Sequence, residues 1–123
     1  MGKLVAAPYE RVVARVREAL KAEGFGIVTE MDVQATMKEK LGLDMRPYVI
    51  LGACNPVFAS QVLAADPELG LLLPCNVLVY ETDEGTRVSA VDPEMMLQMA
   101  GSPPVAAIAA DVKERLGRAV QSV

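Results

Sequence analysis

The apolar positions Val12, Val13, Val16, Ala19 and Leu20 fall on one side of a 3.6-residue repeat. They predict a helix opened by Pro8 and stopped by Gly24. A short strand over residues 3–6 precedes it. The stretch "FGIVTEM", 25–31, alternates and predicts a second strand. In it Phe25, Ile27, Thr29 and Met31 face one way, and Gly26, Val28 and Glu30 the other. Asp32 then caps a short helix carrying Val33, Met37 and Leu41, closed by Gly42. "PYVILGAC", 47–54, is apolar on both faces and predicts a central strand.

Asn55-Pro56 caps and starts the next helix, with Phe58, Val62 and Leu63 inward, and it ends before Asp66-Pro67. "GLLLPCNVLVYET", 70–82, predicts the longest strand, bent at Pro74. Asp83-Glu84-Gly85 turns it into a partner over 86–91. Asp92-Pro93-Glu94 caps a Met-rich helix over 93–100, and Ser102-Pro103-Pro104 starts the last helix. That helix carries the stripe Val105, Ile108, Val112, Leu116 and Val120. The order predicts one domain over 1–123, an α+β two-layer sandwich with helices on one face of a mainly antiparallel sheet. Its polar-poor strands leave room for a homodimer interface.

At 123 residues, with 52% hydrophobic and only 4% aromatic residues, the core is built from Val, Leu, Ile, Ala and Met. Folding a chain of this size hides roughly two-thirds of its extended surface. Twelve basic residues are dispersed among sixteen acidic ones, for a net charge of −4. Phosphate binding rewards clustered cations, so the composition argues against nucleic acid as a partner. The densest basic group, Arg11, Arg15, Arg17 and Lys21, is interrupted by Glu10 and Glu18 and reads as a solvated helix face. No run approaches the ~18 apolar residues that cross a bilayer. The N-terminus meets charge at once and does not read as a signal peptide, and Ala6 stands where a myristoylation motif wants Ser or Thr. A cytoplasmic protein without a membrane partner is the expectation.

Histidine is absent, which removes His-based triads, His metal sites and the usual neutral-pH acid-base group. No phosphate-binding glycine loop follows a strand. The remaining chemistry centres on the only two cysteines, Cys54 in "GACNP" and Cys75 in "LPCNV". A thiol next to a helix N-terminus is favoured as thiolate, so Cys54 is a candidate nucleophile, redox centre or soft-metal ligand. Should the two strand ends meet, Cys54 and Cys75 could exchange between dithiol and disulfide. Each is equally a small buried hydrophobe, and Asn55 and Asn76 have ordinary work as a cap and a polar group beside the bend.

No metal is expected. Only Cys54 and Cys75 are candidate ligands, for Cu(I) with Met95, Met96 and Met99, or for Zn(II) with carboxylates or a symmetry mate's thiols. Glu30 with Asp32, and Asp92 with Glu94, are candidate acid-base pairs, each containing a predicted helix cap.

The segments "AEGFGIVTEMDVQATMKEKLG", "YVILGACNP" and "DPELGLLLPCNVLVYE" together resemble a bacterial and archaeal family, Domain of Unknown Function 302. The resemblance runs from the first helix to the last. It implies a compact α+β domain with a curved sheet, laid out like half of the TATA-binding protein, and homodimers. Asn55-Pro56 and Leu73-Pro74 match the family's motif and mark shared architecture. The resemblance carries over no catalytic residue and leaves the cofactor unknown, and the two cysteines belong to the form of the motif nearest this chain and not to every member. The leading expectation is a homodimeric module binding a small molecule or partner, with its pocket at Cys54, Asn55, Pro56, Pro74, Cys75 and Asn76. The alternative is a thiol-dependent redox or soft-metal protein using Cys54 and Cys75.

Overall fold

A computed structural model describes residues 1–98 and 103–123. The elements follow in the order β1 (Gly2–Val5), α1 (Tyr9–Ala22), β2 (Gly26–Asp32), α2 (Val33–Leu41), β3 (Tyr48–Cys54) and α3 (Pro56–Ala65). A 3-10 helix (Pro67–Leu72), β4 (Cys75–Thr82), β5 (Gly85–Ala90), α4 (Pro93–Leu97) and α5 (Pro103–Ser122) complete the chain. The five strands form one antiparallel sheet in the order β1-β5-β4-β3-β2. The α+β class holds. β4 occupies the middle, and β3 lies one place away with partners on both sides.

Alternate residues of the inner strands supply the core. Val49, Leu51 and Ala53 of β3, Val77 and Val79 of β4 and Val88 of β5 are buried against the apolar stripes of α1 and α5. The largest cluster also takes in Val12, Val16, Leu20, Leu116 and Val120. A second, smaller cluster joins Val62 of α3, Leu69 of the 3-10 helix, Leu97 of α4, and Val105 and Ala109 of α5. Thr86 is a fully buried polar residue on the helix-covered face, and its Oγ1 donates to Ala7 O at 2.8 Å. That bond ties the β1–α1 turn to β5.

The predicted caps are where the local chemistry put them. Asn55 Oδ1 accepts from Val57 N, Asp32 Oδ1 from Ala35 N, and Asp92 Oδ1 from Glu94 N and Met95 N, and at the start of the 3-10 helix Asp66 Oδ1 accepts likewise from Glu68 N. Gly24 and Gly42 take φ of +86° and +64° after α1 and α2, the left-handed geometry that ends a helix. Pro8 stands one position before α1 rather than inside it. The parts of the expected helix at 99 and 100, and the cap at Ser102, lie outside the described residues.

Three expectations are corrected. A β-bulge between Ile27 and Thr29 shifts the register of β2 on β3. Ile27 therefore faces the helices opposite Ala53, whereas Thr29 and Met31 pair with Gly52 and Ile50 on the other face. Glu30 moves to the helix side, where it accepts from Arg17 Nη2. Second, residues 70–72 are the end of the 3-10 helix and not strand. The Asp66 cap starts a helical turn that buries Leu69 and leaves Leu71 85% exposed. Third, Leu63 and Leu41 are exposed: α3 buries Val62 and not Leu63, and α2 buries none of its residues.

The other sheet face is half-exposed. The Tyr48 and Tyr80 rings stack there with centroids 5.0 Å apart, beside Ile50, Leu78, Leu4 and Met31. Gly52 lies on the same face opposite Asn76. A Cβ at Gly52 would stand 1.9 Å from Thr29 Oγ1 and 2.7 Å from Pro74 Cγ. Gly52→Ala is accordingly expected to destabilise the fold by about 1–3 kcal/mol through overpacking. Urea denaturation checks this, with a lowered midpoint at unchanged slope as the expected result.

Candidate functional site

The site is set by the β3–β4 ladder. Ala53 pairs with Cys75, so the end of β3 and the start of β4 lie side by side. Chain direction then carries Cys54 and Asn55 into α3, while Leu72, Leu73 and a cis Leu73–Pro74 peptide lead into β4. Cys54, Asn55 and Cys75 line one cavity. Pro56, Pro74 and Asn76 do not. Pro56 is exposed at the first turn of α3, Pro74 packs toward Gly52, and Asn76 is exposed on the other sheet face.

The cavity lies at the seam of the two hydrophobic clusters. Phe25, Ala53, Cys75 and Val112 of the larger cluster form one side, and Val62 and Leu97 of the smaller form the other. Small side chains at Ala53, Ala59, Cys54 and Cys75 leave the space, and Met96 and Phe58 close round it. The centre of a water-sized sphere can occupy about 30 Å³ of it, the room of one water or one methyl group. All the space between its lining atoms, the part open to solvent included, is about 430 Å³. The smaller figure governs what enters without movement of the walls. Asn55 is the polar side chain among the lining residues. Its Oδ1 is held by the α3 cap, and its Nδ2 lies 3.0 Å from where a Cβ on Gly24 would stand.

Neither thiol is in a disulfide; Cys54 is half-buried and Cys75 buried. Burial, with the nearby Cys54 second, pushes the Cys75 thiol up to about 11. Among the described residues no group of three or more Cys, Asp or Glu is placed to hold a metal ion. Of the thioethers, Met96 lines the cavity, Met95 is 71% exposed, and Met99 lies outside the described residues. Three of the four carboxylates considered for acid-base work are occupied elsewhere. Glu30 accepts from Arg17 and Asp32 caps α2. Asp92 caps α4 and lies 3.0 Å from Lys113 Nζ, whose bond to it holds its carboxyl below the usual range.

Sequence reasoning reached the two Cys-Asn segments but not the rest of the lining. Phe25, Val112 and Leu97 come from three further segments, and each reads locally as ordinary core. No sequence signal marks them as neighbours.

A family profile described as "Domain of unknown function DUF302" matches residues 1–123. This chain belongs to the DUF302 family. It is similar to a crystal structure of "uncharacterized conserved protein DUF302 from Bacillus stearothermophilus", with a TM-score of 0.90 and 34% identity. That match covers 98% of this chain and 94% of the other. A curated relative from Aquifex aeolicus (strain VF5), named "Uncharacterized protein", is 25% identical over 84 residues. The match covers 68% of this chain and 52% of the relative, so it spans about half of the relative's length.

For this DUF302 domain the raised Cys75 pKa has a measurable consequence. A thiol with folded pKa of about 11 against 9.0 unperturbed keeps its proton longer when folded. Its stability contribution is therefore intact below pH 9 and lost as pH rises toward 11. Between those limits the wild type is expected to lose roughly 2 kcal/mol more than Cys75→Ala. Denaturant titrations of both proteins across that pH range check the difference.

Proposed function

We propose that this DUF302 domain is a binding module whose site is the apolar cavity at the seam between its two hydrophobic clusters. The observation that carries the reading is the convergence of Cys54, Asn55 and Cys75 on that cavity. A second support is the nature of its outer wall. The 3-10 helix and the five-residue α4 are short elements, and elements of few residues open at small free-energy cost. Ligand sites are mostly apolar with a few polar groups, and a cavity this small admits the end of an aliphatic chain unless the wall shifts. Neither a metal nor a cofactor is assigned. An apolar probe, 1-hexanol, is expected to shift the NMR signals of Ala59, Val62 and Val112. In Ala59→Leu, which fills the cavity, the Val62 and Val112 shifts are expected to vanish while the rest of the spectrum stays folded. Equal shifts in both proteins would overturn the reading.

A thiol redox or soft-metal role is the second reading, favoured by the placing of Cys54 and Cys75 in one cavity wall. It rests on Cys54 alone for a thiolate, since burial keeps Cys75 protonated at neutral pH. Binding at the cavity is therefore the stronger proposal. The two unbridged thiols suit a reducing compartment, which supports a cytoplasmic setting.

We further propose that the domain works as a homodimer through the half-exposed sheet face. Ile50 and Leu78 with the Tyr48–Tyr80 stack form its apolar middle, and Arg87 is its one charged residue by strand register. Like faces of this kind can meet about a two-fold axis without burying several charges. Five strands at ~4.8 Å spacing present on the order of 500 Å² per copy, short of the ~800 Å² of a standard interface. The expected dimer thus dissociates on dilution. Light scattering over a concentration series checks this, and Leu78→Glu is expected to give a monomer at every concentration.

A further inference from the structure

One cation adjoins the cavity and takes part in no ion pair among the described residues. Arg115 Cζ lies 5.5 Å from the centroid of Phe58, whose ring is part of the cavity wall. Its helix, α5, also supplies Val112 to the wall, one turn earlier. The other cations of this part of α5 are occupied, since Lys113 pairs with Asp92, and Arg118 with Glu23 and Glu114. Arg115 is exposed and rests on an aromatic face, an arrangement that orients a guanidinium while leaving its N–H fork free.

We infer that the ligand is a short aliphatic monocarboxylate. Its alkyl end occupies the cavity, and its carboxylate meets Arg115 at the rim. The inference rests on the cavity being the binding site. An apolar cavity by itself selects alkyl over polar groups but does not distinguish an acid from an alcohol. The guanidinium makes that distinction, because a charge-assisted fork to a carboxylate is about twice as strong as a neutral hydrogen bond. The protein carries a net charge of −4, which disfavours anions in general. A preference for the acid must then be local to Arg115.

The test titrates hexanoate and 1-hexanol into the wild type, Arg115→Gln and Arg115→Lys, following the NMR signals of Phe58, Ala59 and Val112. Hexanoate is expected to bind more tightly than hexanol, and Arg115→Gln to weaken hexanoate about tenfold while leaving hexanol unchanged. Arg115→Lys is expected to restore part of the loss. Hexanol binding with equal hexanoate binding, both indifferent to Arg115→Gln, would overturn the carboxylate inference and leave the cavity reading standing. Binding of neither probe would overturn both. Arg115 is exposed, so loss of fold in its variants is not expected, and the unchanged hexanol titration reports that directly.

Discussion

The register of β3 against β4 is the constraint from which the remaining geometry follows. Ala53 opposite Cys75 sends the two strands' ends to the same place, one leading into α3 and the other arriving from the 3-10 helix. The same register puts Leu51 beside Val77 and Val49 beside Val79 on the face that α1 and α5 cover. A slip of one residue would turn that whole apolar set toward solvent and the Tyr48–Tyr80 side toward the helices. Burial on one face therefore holds the register, and the register holds the site.

The cavity is a by-product of how two cores meet. The larger one is a sheet backed by two long helices, and the smaller one is made of short helical pieces around α5. α5 belongs to both, through Leu116 and Val120 in one and Val105 and Ala109 in the other. At the join the sheet offers alanine and cysteine, side chains too small to fill the space. Packing elsewhere is tight. Leu51, Val77, Val79 and Val88 are fully buried, as expected of interiors at crystal-like density. A gap lined by small residues and bounded by short elements is where a fold of this kind can admit another molecule at least cost.

The cysteines are best understood from that join. Cys75 behaves as a small hydrophobe in the ladder, and burial suppresses its ionisation. Cys54, the last residue of β3, is half-exposed where the chain turns into α3. Their neighbouring asparagines do unlike work. Asn55 caps a helix and closes against Gly24, whereas Asn76 is exposed on the far sheet face. The repeated Cys-Asn pair is thus one spelling for two environments, because Asn76 stays in β4 and faces opposite to Cys75, whereas Asn55 has left β3 to cap α3.

What the sequence determined by itself is the set of local boundaries. The caps at Asn55, Asp66 and Asp92 and the stops at Gly24 and Gly42 are made by bonds spanning two to four residues, so nearby residues suffice to specify them. The α1 and α5 stripes were legible for the same reason, since helical spacing is itself local. The bulge at β2, which turned Thr29 and Glu30 to unexpected faces, depends on fitting one strand to its neighbour. The 3-10 turn over 67–72 lies where apolar residues alone read as strand, and it buries Leu69 against α3–α5 packing. The cavity and the Arg115–Phe58 contact belong wholly to the tertiary structure. They arise from side chains on separate segments whose mismatch in size is invisible until they are packed together.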